Sequence, residues 1–193
     1  MMRINSKLNI YKKSKFLNYW NLDFFSPTNT IFNMKEISIT TKFSIFENLQ
    51  DLPNEIQELM GLAVDVRIKA YAPYSKFRVG AALFLDNGKV ILGSNQENAA
   101  YPSGLCAERV AVFQSGTLYP EAKILRMVIT AASDTHTTCM PIPPCGACRQ
   151  SIAEYELKQG SPIEIYFMGE VGVVYKSDSL KNLLPFLFDK NFL

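Results

Sequence analysis

The run Phe77-Arg78-Val79-Gly80-Ala81-Ala82-Leu83-Phe84-Leu85, then Asp86-Asn87-Gly88, then Lys89-Val90-Ile91-Leu92-Gly93, decides how the rest of the chain is read. Phe77, Val79, Ala81, Leu83 and Leu85 alternate with other side chains, the period of a strand with one face on a core. Asn87-Gly88 is a turn dipeptide, so the two runs form an antiparallel hairpin. Before it, Ile56, Leu59, Met60, Ala63, Val64 and Ala70, behind Pro53, recur at helical spacing and predict a helix over 54–72 that Pro73 stops. After it, the pattern predicts a helix over 106–113 ended near Gly116, a buried strand over 124–132, a helix over 147–157 and a strand over 162–168. A last strand over 171–175 and a short helix over 179–184 complete the reading. Strand and helix alternate downstream of the hairpin, which implies an α/β fold with a mixed sheet and helices on both faces.

With 193 residues, 48% of them hydrophobic and 20% charged, the chain has enough apolar material for one well-cored domain, expected over 34–193. Residues 1–33 carry Arg3, Lys7, Lys12, Lys13 and Lys15 against Asp23, a charge of +4, so the net +2 leaves −2 on residues 34–193. A mildly acidic body excludes a nucleic-acid platform. Residues 1–33 show no clear period and read as an extension, disordered or upstream of a natural start at Met34. A targeting leader is the other reading; its arginine content, Arg3 alone, counts against it. No apolar run approaches the ~18 residues of a membrane span. Four cysteines without a signal-peptide core, two of them in Cys-x-x-Cys, point to a reduced cytoplasmic compartment.

Cys106-Ala107-Glu108 and Pro144-Cys145-Gly146-Ala147-Cys148 carry the chemistry. Cys145 and Cys148 are three apart and share one face of a helical turn, and both cysteine groups fall at predicted helix starts. Three thiolates fill three corners of a tetrahedral Zn²⁺ and leave the fourth for water, the pattern of a catalytic site. Their summed charge with Zn²⁺ is negative and needs an offset. Two helix N-termini supply part of it; Arg109 or Arg149, immediately after the two ligand groups, supplies the rest by hydrogen bonds to sulfur, with Arg109 favoured for its place beside the Cys106 turn. Glu108 is not needed as a ligand and is placed to move protons in a hydrolytic deamination. The competing reading is a non-catalytic zinc-binding module with Cys139 or His136 as fourth ligand. Structural sites come as two close pairs and have no use for Glu108, so both of those residues are read as parts of a loop.

Around this cluster stand Tyr71-Ala72-Pro73-Tyr74-Ser75-Lys76-Phe77-Arg78-Val79-Gly80-Ala81, Asn95-Gln96-Glu97-Asn98-Ala99, Cys145-Gly146-Ala147-Cys148-Arg149-Gln150 and Leu183-Leu184-Pro185-Phe186-Leu187-Phe188. With these stretches the chain, from about residue 54 to 188, resembles the cytidine deaminase family, specifically its small members that act on free nucleosides. The resemblance implies a three-layer α/β/α sandwich on a five-stranded mixed sheet and one Zn²⁺ per subunit. It implies hydrolysis of cytidine and deoxycytidine to uridine and deoxyuridine with release of ammonia, in pyrimidine salvage. It assigns Asn95 and Glu97 to the sugar hydroxyls, Ala107 to substrate contact and Phe77 to the pyrimidine, although by alternation Phe77 suits the core equally. Tyr101 and Phe188 match aromatics that contribute across subunits, and the three-cysteine form accompanies a homotetramer. Gln96 stands where an apolar residue is usual, and the first 50 or so residues have no counterpart in compact members. A deaminase of the same fold acting on a nucleoside antibiotic, a nucleotide or a polynucleotide is the alternative; the phosphate-bearing substrates would want cations that a −2 body offers sparingly.

Overall fold

A computed structural model describes residues 35–193, whose elements run β1 (Ser44–Phe46), α1 (Asn54–Arg67), β2 (Phe77–Leu85), β3 (Val90–Ser94), α2 (Ala107–Leu118), β4 (Ile124–Ser133), α3 (Gly146–Gln159), β5 (Glu164–Met168) and β6 (Val174–Ser177). The six strands form one sheet in the order β1-β6-β5-β4-β2-β3, parallel between β4 and β5 and antiparallel elsewhere. Ile39–Leu193 cluster as one compact unit, and residues 35–38 are exposed without regular secondary structure.

Alternation along the strands sets up three layers. Ala82 on β2, Val128 on β4, and Tyr166 and Met168 on β5 face α1, which lays Ile56, Leu59, Met60 and Ala63 against them. Their neighbours Ala81, Leu83, Met127, Ile129 and Ile165 face the other way, onto Ala107, Ala111 and Val112 of α2 and Cys148, Ile152 and Ala153 of α3. A fully buried side chain such as Ile56, Met60 or Ile152 stabilises the fold by about 1.5–3 kcal/mol. α2 lies so close over β3 that a Cβ at Gly93 would collide with the Ala107 carbonyl; glycine there fixes the height of the α2 N-terminus above the sheet. Among the described residues, no helix is long and apolar enough to cross a membrane.

The structure corrects the sequence reading in several places. The sheet has six strands, not five: β1 is a three-residue edge strand with Ile45 exposed and Phe46 half-buried, too short and too one-sided to show a period. α1 stops at Arg67, short of the expected 72, because Tyr71 is drawn into pairing with the 95–97 segment, its N–H donating to the Asn95 carbonyl and its carbonyl accepting from Glu97 N–H. The hairpin turns through residues 86–89, with Gly88 alone in the left-handed region at φ 77°. α2 runs on through Gly116, which packs against Tyr155 of α3. The last strand begins at Val174, after a turn in which Gly172 takes φ 92°, and the expected helix over 179–184 is a single 3-10 turn, Leu180–Asn182. The expectations for residues 1–33 and the start at Met34 lie outside the described residues.

Candidate active site

α2 and α3 each begin on a cysteine. Cys106 and Cys145 hold the N-cap positions in extended backbone, their carbonyls accepting from the N–H groups of Val110 (3.1 Å) and Arg149 (2.9 Å). Neither thiol caps its own helix, so each sulfur is free where Ser or Asp would bond the orphan N–H groups. Cys148, fully buried, stands within the first turn of α3. The Sγ atoms of Cys106 and Cys145 are 3.8 Å apart, those of Cys145 and Cys148 3.5 Å, and all three lie within 4.8 Å of one another. A tetrahedral zinc with Zn–S bonds of about 2.3 Å spaces its sulfurs about 3.8 Å apart, close to the two distances from Cys145, so the three thiols could hold that ion. All four cysteines of the chain are free thiols, and among the described residues no fourth His, Cys, Asp or Glu joins the group. Cys139 and His136 are exposed in the preceding loop, where His136 Nδ1 bonds the Thr135 hydroxyl at 3.1 Å.

The electrostatics favour a cation. The hydrogen bond shared with Cys148, then Arg109, pulls the Cys106 thiol down to about 5, and the same shared bond together with burial pushes Cys148 well above its ordinary value. Crowded sulfurs divide their protons in this way until a divalent ion lets all of them ionise. Burial opposes the charge on Arg109, yet its bonding to Cys106 and the charges of Cys106 and Cys148 leave the guanidinium above its ordinary value. Its Nη2 donates to the Gly104 carbonyl at 3.4 Å, and its Nε is buried without a partner, spare donor capacity beside the sulfurs. Arg149, the other candidate, is engaged elsewhere: Nε donates to the Pro144 carbonyl (2.7 Å) and Nη1 to that of Leu183 (3.0 Å). Glu108, only 4% exposed, sits in the first turn of α2, and burial pushes its carboxyl up to about 7.

Beside Cys106 and Arg109 opens a cleft of about 410 Å³, within the range of small-ligand sites. One wall is the segment 95–97, clamped between two partners: Gln96 exchanges backbone hydrogen bonds with Leu105, each 2.9 Å, and the peptides on either side of it bond Tyr71. Asn95 is buried and uses its side chain as a ladder rung, Oδ1 accepting from Val79 N–H (2.7 Å) and Nδ2 donating to the Phe77 carbonyl (3.0 Å). The Glu97 Oε2 accepts from the N–H groups of Tyr74 (3.0 Å) and Ser75 (3.3 Å), and bonding from the Ser75 hydroxyl is the main cause that holds its carboxyl below the ordinary range. Arg78 pairs with both oxygens of Asp134 and donates to the carbonyls of Ile68 and Ala70, bracing the stretch that leads into Tyr71.

The cleft thus brings together Asn95, Glu97, Tyr101, Cys106 and Arg109. Ala107 is fully buried at the start of α2. Phe77, half-buried at the start of β2, and Phe188, 58% exposed near the C-terminus, are not among the residues that line the cleft. Gln96 and Leu105 line it without having been singled out, each next to a residue that was, and Ser75 lines it through its bonds to Glu97.

The comparisons with known proteins agree with this geometry. A family described as the cytidine and deoxycytidylate deaminase zinc-binding region matches residues 53–160. The cytidine deaminase of Halalkalibacterium halodurans is 47% identical over 98 residues, 51% of this chain and 70% of the relative. That of Sporosarcina psychrophila is 37% identical over 139 residues, 72% of this chain and 95% of the relative. Among solved structures, the cytidine deaminase of Burkholderia pseudomallei superposes with a TM-score of 0.59 at 36% identity, covering 71% of this chain and all of that one. A family match across more than half of the chain, over three sulfurs spaced for zinc, identifies it as a member of the cytidine and deoxycytidylate deaminase family.

Proposed function

We propose that the chain is a zinc-dependent hydrolase that converts cytidine and deoxycytidine to uridine and deoxyuridine and releases ammonia. The observation that carries this reading is a buried carboxyl, Glu108, two residues from Cys106 in a three-sulfur site that borders a nucleoside-sized cleft. When bound by Cys106, Cys145 and Cys148, zinc supplies the Lewis acidity that makes water a nucleophile at neutral pH. Glu108 takes a proton from the attacking water and passes it to the ring nitrogen beside the amino-bearing carbon; as the C–O bond forms and the C–N bond breaks, it delivers the second proton to the departing amine. A carboxyl held near 7 suits both directions of transfer.

Asn95 and Glu97 hold the sugar hydroxyls. The N–H groups of Tyr74 and Ser75 share Oε2 of Glu97, so the carboxylate keeps acceptor capacity for the ligand. Ala107 and Phe77 are assigned to the base by the family resemblance alone, since neither lines the cleft, and Arg109 and the helix N-termini of α2 and α3 offset the thiolate charge. Arg109 is the one cation among the residues lining the cleft, and it is engaged with the sulfurs, so a free nucleoside is favoured over a nucleotide or polynucleotide. Tyr101 at 78% exposure and Phe188 at 58% support an assembly, a homotetramer, in which neighbouring copies complete each site. Four free thiols support a cytoplasmic enzyme of pyrimidine salvage, with 34–193 as a single domain and 1–33 as an extension.

Incubating purified protein with cytidine tests this. The ultraviolet change to uridine and release of one ammonia per turnover are expected, lost on chelation and restored by zinc, with free cytosine a far poorer substrate. Turnover indifferent to chelation, or cytosine turned over as well as cytidine, would refute it.

A further inference from the structure

The residues after the second thiol of Cys145-Gly146-Ala147-Cys148-Arg149-Gln150 bond neither to sulfur nor to the cleft. They bond to the C-terminal segment. The chain leaves β6 and is caught first by buried Glu156, whose Oε1 accepts from the Ser179 hydroxyl (2.6 Å) and Oε2 from Leu180 N–H (3.0 Å). It then runs back along α3 toward the metal end, where Arg149 Nη1 donates to the Leu183 carbonyl (3.0 Å) and Gln150 Nε2 to the Phe188 carbonyl (2.8 Å). Leu180, Leu183 and Leu187 pack this segment against the α2/α3 core, and a cavity of about 380 Å³ lined by Leu157, Leu184 and Leu187 among others lies beside them, so packing is shared with these hydrogen bonds in setting the path. Beyond the last anchor the Phe188 ring stacks on Phe192 at 5.7 Å, and Asp189 caps the final turn through Asn191 N–H (2.7 Å).

We infer that Arg149 and Gln150 are positioning residues: one helical rail holds the metal loop with one side chain and delivers Phe188 to a neighbouring copy's cleft with the next. The same Arg149 guanidinium that grips Leu183 also grips the carbonyl of Pro144, immediately before ligand Cys145, so metal loop and tail share a single fastening. Among the described residues the side-chain hydrogen bond of Gln150 goes to the tail carbonyl and not to the metal loop, which separates the two tasks. This inference rests on the deaminase reading for what Phe188 does once placed.

The experiment compares the full chain with Gln150→Ala and with Gln150→Glu, which keeps the shape and removes the donor. Zinc per chain, hydrogen exchange of residues 183–193, and kcat and KM for cytidine are measured. Both variants are expected to keep parental zinc and kcat, to exchange tail amides at least fivefold faster, and to raise KM about fivefold to tenfold, the worth of one neutral hydrogen bond. Parental exchange and KM in both variants would overturn the inference, as would loss of zinc, which would place Gln150 in support of the metal. If the parent does not turn over cytidine, the functional reading fails while the exchange data still decide whether Gln150 holds the tail.

Discussion

The two faces of the sheet are covered by helices that begin differently and bury different things. α1 starts after Pro53 with no side-chain cap, and its buried positions, Ile56, Leu59, Met60 and Ala63, are all apolar. α2 and α3 start on Cys106 and Cys145, and each buries a glutamate among its apolar residues, Glu108 in α2 and Glu156 in α3. Burying a carboxyl is costly unless donors satisfy it, so the α2/α3 face holds features that packing alone would remove. The two glutamates also differ from each other. Glu156 accepts from the Ser179 hydroxyl and the N–H groups of Ile163 and Leu180 and is a structural tie. Glu108 has only its own backbone N–H and the neighbouring thiol as donors, and burial leaves its proton exchangeable near neutral pH.

The sharpest break between the faces comes from Glu108→Gln. It should lower kcat by about 10²–10⁴-fold while zinc per chain and the melting temperature stay at parental values, since the amide removes the proton carrier and not the packing. Activity within tenfold of the parent at full zinc occupancy would assign the chemistry to another group. On the opposite face, Met60→Ala opens a cavity at a fully buried site and should cost about 2–5 kcal/mol in denaturant unfolding, leaving kcat of the folded fraction unchanged. Between the two carboxyls, Glu156→Gln should be the mildest, about 1–3 kcal/mol of stability with zinc and kcat retained, because the amide keeps one oxygen to accept from the N–H groups of Ile163 and Leu180 and loses the charge and the acceptor that the Ser179 hydroxyl uses. A fall in kcat comparable to that of Glu108→Gln would erase the distinction drawn between them.

Packing was legible in the sequence where its signal is periodic: the 3.6-residue stripe behind Pro53 reports the buried face of α1, and the alternation from Phe77 to Leu85 reports the side of β2 that meets α2 and α3. Where long-range backbone pairing overrode local pattern, the reading slipped. Residues 68–72 continue the helical stripe, yet Tyr71 leaves it to pair with Asn95 and Glu97. β1 has no pattern of its own and exists because β6 offers an open edge to Ser44–Phe46. In the site, the three thiols were legible from type and spacing, since few residues bind zinc and fewer do so three apart on a turn. The engagement of Asn95 with Val79 and Phe77 was not, because residue type does not tell that an amide able to serve a ligand also serves as a rung of the ladder.

The central claim is a zinc ion held by three sulfurs with one position left for water, and X-ray absorption at the zinc edge of the purified protein measures it directly. One zinc per chain is expected, with three sulfur neighbours at ~2.3 Å and one oxygen at ~2.0 Å. Four protein ligands, whether a fourth sulfur or an imidazole, or protein that takes up no zinc, would contradict it.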